Sequence, residues 1–96
     1  MKIADKTFII ARNKVDFNYF IRTNQIKEKD AVWLNEGENW MGREYEGKVV
    51  YLLDLWYQKQ GSYALRTYLE IKEAILVYCS PLSKIGELLT DEENKV

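Results

Sequence analysis

The stretch KVVYLLDLWYQKQGS, residues 48–62, decides the fold. From Val49 to Trp56 every residue except Asp54 is apolar or aromatic. With the two-residue period of a strand, Val49, Tyr51, Leu53 and Leu55 share one face, and Val50, Leu52 and Trp56 share the other. A strand apolar on both faces must be covered on both, which predicts a central strand of a parallel sheet flanked by helices.

The segments on either side supply those helices and the neighbouring strands. TFIIA (7–11) is a short β-branched run and reads as a first strand. RNKVDFNYFIRTN (12–24) carries two periods: Val15, Phe17, Tyr19 and Ile21 alternate as in a strand, whereas Phe17, Phe20 and Ile21 repeat as in a helix. Helix is favoured, because Asn13 can cap it, Asp16 stands near the amide dipoles and Asn24 suits its exit. A hairpin turning at Asn13-Lys14 is the competing reading. AVWLN (31–35) reads as strand two and AILVYC (74–79) as strand four. Between strands three and four, SYALRTYLEIK (62–72) starts at a cap-competent Ser62 and puts Leu65, Tyr68 and Leu69 on one helical face. Ser80-Pro81 then opens a last helix with Leu82, Ile85, Leu88 and Leu89 inward.

The fold class that follows is α/β: a small four-stranded, mostly parallel sheet of order 2-1-3-4, with helices on both faces. Right-handed crossovers connect its parallel strands. Ninety-six residues suit one domain, with 90–96 expected as a frayed acidic tail. MKIADKTF lacks the apolar core of a signal peptide and no run approaches a membrane span, so a complete, soluble, cytoplasmic protein is expected.

Composition removes several kinds of chemistry. Fourteen basic and fifteen acidic residues leave a formal charge of −1, so there is no basic surplus to attract a phosphate backbone. With no histidine and one cysteine, Cys79, ordinary zinc, haem and Ser-His or Cys-His sites are excluded. A carboxylate-only magnesium or calcium site stays open, but no cofactor or metal is expected. Cys79 itself, at the end of a buried strand, reads as an inert small hydrophobe. VVYLLD has the shape of a Walker B strand, yet FIIARNKVDF contains no glycine for a phosphate-cradling or dinucleotide loop.

Asp54 is the anomaly of the central run. On the face of Val50, Leu52 and Trp56 an unpaired charge costs several kcal/mol, so it needs a cation or a solvated strand end. Arg12, ending strand one on the face of Phe8 and Ile10, is its expected partner. Such a pair either pins strand register or lines a crevice at the topological switch point, where Asn13, Lys59 and Ser62 would join it around a ligand. Gly61-Ser62 at a helix start could also hold an anion through free amides.

EGENWMGREYEG (36–47) is the second informative segment. It combines Glu36, Glu38, Glu44 and Glu46 with Trp40, Met41, Arg43 and Tyr45, residue types enriched in protein-binding hot spots. Either Trp40 and Met41 fold back over the core beneath a solvated rim, or the loop contacts another protein. Phe8, Trp33 and Tyr78 are expected in the core.

The strand ending in Ala-Arg, the aromatic helix and the rhythm of VWLNEGENWMGREYEGKVVYLLDLWY resemble small Rossmann-like α/β proteins of bacteriophage genomes, mostly without an assigned activity. Trp33, Gly42, Gly47, Trp56 and Tyr57 carry the resemblance, across residues 7–80. It implies the fold and an accessory role such as binding and modulating a host factor, and it transfers no catalytic residues. The expected function is therefore a non-catalytic protein-interaction module using Trp40, Met41, Arg43, Tyr45, Trp56 and Tyr57, with a host factor or a second copy of itself as partner. The alternative is a binder of a small anionic or nucleotide-like ligand through Arg12, Asn13, Asp54, Lys59 and Ser62. Neither reading involves a membrane or nucleic acid.

Overall fold

In the computed structural model, residues 6–34 and 43–87 are described. Strand β1 (Thr7–Ile10) leads into helix α1 (Lys14–Thr23), a 3-10 turn at Glu28–Asp30 and strand β2 (Ala31–Trp33). Strand β3 (Val49–Leu53) is followed by a 3-10 turn at Trp56–Gln58, helix α2 (Ser62–Ile71) and strand β4 (Ile75–Cys79). A third helix, α3, begins at residue 85 and is helical through 87. The four strands form one all-parallel sheet of order β2-β1-β3-β4.

The sheet is covered on both faces, as the apolar run of β3 requires. On one face, Phe8, Ile10, Val50 and Leu52 pack against Leu65 and Leu69 of α2, with Leu34 and Tyr45 completing the cluster. On the other, Ile9, Ala11, Tyr51, Leu53 and Val77 pack against Phe17, Phe20 and Ile21 of α1, and Ile85 of α3 lies against them. Burying each large side chain is worth about 1.5–3 kcal/mol, so the alternation of β1 and β3 sets the two-layer cover.

Helix α1 wins over the hairpin because its ends are satisfied locally. The Asn13 side chain accepts from the Asp16 amide at 2.9 Å, and Asp16 sits in the first turn, favourable for the helix dipole. At the other end, Gln25 adopts φ 54°, and the Gln25 and Ile26 amides bond the carbonyls of Arg22 and Ile21. Helix α2 ends the same way: Glu73 has φ 62°, and the Glu73 and Ala74 amides reach Glu70 and Leu69. Both are Schellman terminations with a non-glycine residue in the left-handed position.

Three sequence expectations are corrected. Strand β3 stops at Leu53 rather than running to Trp56, because Leu55 turns into the left-handed region at φ 61°, ψ 23°. Helix α2 is capped by Gly61, at φ 84°, and Ser62 is its buried first residue rather than its cap. The last helix opens at residue 85, not at Ser80-Pro81, and Leu82 is exposed. There the Ser80 hydroxyl accepts from the Leu82 amide at 3.1 Å, and Ser83 Oγ accepts from the Ser80 amide at 2.9 Å. The cap of α3 comes from across the molecule: Asn24 Oδ1 accepts from the Ile85 amide at 2.7 Å, while Asn24 Nδ2 donates to the Ser83 carbonyl at 3.0 Å and to the Phe20 carbonyl at 2.9 Å. One side chain thus joins the end of α1 to the start of α3. Leu88, Leu89, the 90–96 tail, and Glu36, Glu38, Trp40, Met41 and Gly42 lie outside the described residues.

Candidate functional site

The carboxyl ends of the parallel strands gather the polar and aromatic groups that follow them. After β1, Arg12 Nε donates to Asp16 Oδ2 at 2.9 Å, and Asp16 is largely buried. This replaces the expected Arg12–Asp54 pair. The chain leaves β1 directly into α1, so a carboxylate one turn along the same helix is nearer to Arg12 than one in the turn after β3. Asp54 avoids the burial cost in another way: it stands in the exposed turn beyond Leu53 and is solvated.

Asp54 does reach one neighbour electrostatically. The Cys79 thiol, half-buried at the end of β4, is pushed up to about 12, first by burial and then by the nearby Asp54 carboxylate. It is a poor nucleophile in this setting. Among the described residues there is no group of three acidic or cysteine side chains placed to hold a metal ion.

The left-handed Leu55 throws the chain sideways, so that Trp56, Tyr57 and Gln58 form a short turn closed by the Gln58 amide on the Leu55 carbonyl at 3.0 Å. A bulky residue at positive φ is strained, and the turn it opens brings several aromatic rings together. Trp56 is the hub. Its ring lies 5.2 Å from Tyr63 in a T-shaped contact, 5.8 Å from Tyr57 and 6.4 Å from Tyr78. Tyr57 and Tyr63 stack at 6.3 Å with planes only 5° apart. Trp56 is half-buried against the α2 face of the core, whereas Tyr57 is 41% and Tyr63 64% exposed. Tyr78, expected in the core, is on this surface instead, and Arg66 of α2 donates to its hydroxyl at 2.7 Å. Among the described residues no strand lies beyond β4 to help cover Tyr78, which its apolar sequence context could not reveal.

Lys59 follows the turn and places its ammonium 5.6 Å over the ring of Trp33. Trp33 is fixed beneath it by stacking on Phe17 at 5.8 Å and by its Nε1–H bond to the Ala11 carbonyl at 3.1 Å. The proposed ligand groups therefore do not converge on one crevice. Arg12 is paired with Asp16, Asn13 caps α1, Ser62 is buried, and Asp54 is solvated in its turn.

Of the interaction residues in the acidic segment, Arg43 and Tyr45 are described, and they lie at the opposite end of the sheet. Tyr45 is a core residue, 5.3 Å from Phe8 and 6.2 Å from Tyr68, each in an edge-on contact. Its hydroxyl is pushed up to about 12, chiefly by burial, with Arg43 opposing and Tyr68 adding to the shift. Arg43 lies 5.9 Å over Phe8. A hollow of about 570 Å³ opens beside them, lined by Arg43, Glu46, Tyr68, Lys72 and Glu73 among others. Its mixed charges favour no single ligand sign, and it is remote from the strand-end rim.

Comparison of the chain with protein-family models, with curated proteins and with solved structures returned no match. No helix among the described residues is long and apolar enough to cross a membrane.

Proposed function

We propose that the chain is a non-catalytic interaction module that binds another protein through the aromatic rim of Trp56, Tyr57 and Tyr63. The observation that carries this reading is the exposed Tyr57–Tyr63 stack on a half-buried Trp56. Tyr and Trp are the types that dominate binding hot spots, because they present large area at small entropic cost. A half-buried hub with exposed rings around it supplies a pre-organised contact, reducing the ordering penalty of association. An accessory role toward a host factor, as the bacteriophage resemblance implies, is one setting for such a surface. The anionic-ligand alternative is weaker, since Arg12, Asn13 and Ser62 are already engaged or covered.

The test is capture of binding partners from a cell extract by the wild type and by Tyr57→Ala/Tyr63→Ala. Both rings are exposed, so the double variant should melt within about 3 °C of the wild type while binding falls at least about tenfold. A partner held equally by both proteins refutes the assignment of the rim. A melting temperature raised by several degrees with phosphates or nucleotides would favour the small-ligand reading instead.

A further inference from the structure

We infer that the outer edge of β4 is a self-association surface, at which a second copy of this chain adds its own β4 antiparallel and joins the two sheets. Strand β4 lies at the edge of the sheet and pairs on one side with β3. The Ile75 amide bonds the Lys48 carbonyl at 2.8 Å, and the register runs Val49↔Ile75 to Leu53↔Cys79. Ile75, Val77 and Cys79 therefore turn their N–H and C=O groups toward β3. By the two-residue period, Leu76 and Tyr78 turn theirs outward. Among the described residues no backbone partner meets them.

Exposed edges in soluble proteins are commonly guarded by charge, proline, a bulge or shortness. The five residues of β4, ILVYC, have no charge and no proline, and their pairing with β3 is continuous. The other edge of the sheet is guarded: β2 has three residues, follows the charged turn Glu28–Asp30, and has Lys6 bonded to the Lys29 carbonyl beside it.

A second copy fits this edge by symmetry. Opposing Leu76 with Tyr78, and Tyr78 with Leu76, puts Val77 on the two-fold axis and satisfies all the outward groups with four N–H···O bonds. The apolar side chains flanking the edge are then covered: Tyr78 is 51% and Ile75 50% exposed. The i,i+4 ion pair of Arg66 and Glu70 on α2 offers one charge of each sign, which the two-fold makes self-complementary. In the same register Ile75 lies opposite Cys79, whose neighbour Asp54 presents a carboxylate.

Sedimentation equilibrium from about 10 µM to about 1 mM tests this, with amide hydrogen exchange alongside. The wild type should approach twice 11.4 kDa, and the Leu76 and Tyr78 amides should gain protection as concentration rises. Ile75→Glu should raise the dissociation constant at least about tenfold, and more than Ile75→Lys, because it faces the Asp54 side of the second copy. Tyr78→Pro, which removes an outward amide and leaves the β3 ladder intact, should also break the dimer. Mass of one chain at every concentration overturns the inference. A dimer unaffected by Ile75→Glu and Tyr78→Pro overturns it too. The edge adjoins the rim at Tyr78, 6.4 Å from Trp56, but does not use the Tyr57 and Tyr63 rings: Tyr57→Ala/Tyr63→Ala should leave the dimer intact, and a dimer lost only in that variant assigns self-association to the rim.

Discussion

Replacing Asn24 with alanine removes three hydrogen bonds at once, at 2.7, 2.9 and 3.0 Å, and uncouples the end of α1 from the start of α3. Net contributions of about 0.5–1.5 kcal/mol per bond set the scale, and the part-buried groups left behind can recover some hydration. A loss of about 2 kcal/mol results, comparable with the upper range for helix-cap removal. In a domain of this size each kcal/mol moves the melting temperature by about 4–8 °C, so Asn24→Ala should melt roughly 8–16 °C lower. The loss should also be local in character. Backbone bonds from the Gln25 and Ile26 amides still end α1, so exchange should accelerate most at Ile85 and its neighbours rather than within α1. Asn24→Asp keeps the acceptor for the Ile85 amide and loses only the donors, so it should fall between alanine and the wild type. Thermal unfolding with residue-resolved hydrogen exchange measures both effects. A melting temperature within about 2 °C of the wild type, or exchange accelerated equally in α1 and α3, would refute the clasp.

Other outcomes follow from the helix ends and the shifted titrations. Gln25→Gly and Glu73→Gly each place glycine where the backbone is left-handed, and each should stabilise by about 0.5–1 kcal/mol in denaturant unfolding. Tyr45 binds its proton more tightly folded, at about 12, than unfolded, at about 10. Its contribution is therefore complete below pH 10 and is lost as pH rises from 10 to 12, by up to about 2 kcal/mol, and Tyr45→Phe should flatten that alkaline fall. Tyr51, also raised by burial and then by Cys79, should deepen the decline in the same direction. Cys79 should resist a disulfide reagent at pH 8 until urea unfolds the chain, and Asp54→Asn should speed the native reaction modestly by removing the smaller of its two restraints.

Residues 48–53 and 7–11 are legible as strands because their apolar pattern leaves no other way to bury both faces. From that run the sheet order, the parallel sense and the helix on each side could be read, as the observed order β2-β1-β3-β4 bears out. Asn13 and Asp16 likewise announce the start of α1, since capping is local chemistry between residues three apart. The ends of α1 and α2 were less legible in mechanism, because Gln25 and Glu73 lack the glycine that usually marks a left-handed stop. Leu55 hides the end of β3 for the same reason: nothing in a leucine signals positive φ.

Tertiary structure alone decided the pairing and the surfaces. Arg12 meets Asp16, a local partner four positions along, and what the fold alone decides is that Asp54 stands apart from it in an exposed turn. Asn24 caps a helix 61 positions further along, a contact that no window of sequence contains. Tyr78 and Tyr45 are equally aromatic in sequence, yet one lies on an edge strand and is exposed while the other fills the core. Periodicity determines which residues must leave water; which aromatic rings remain in it depends on how many neighbours the sheet has left to cover them.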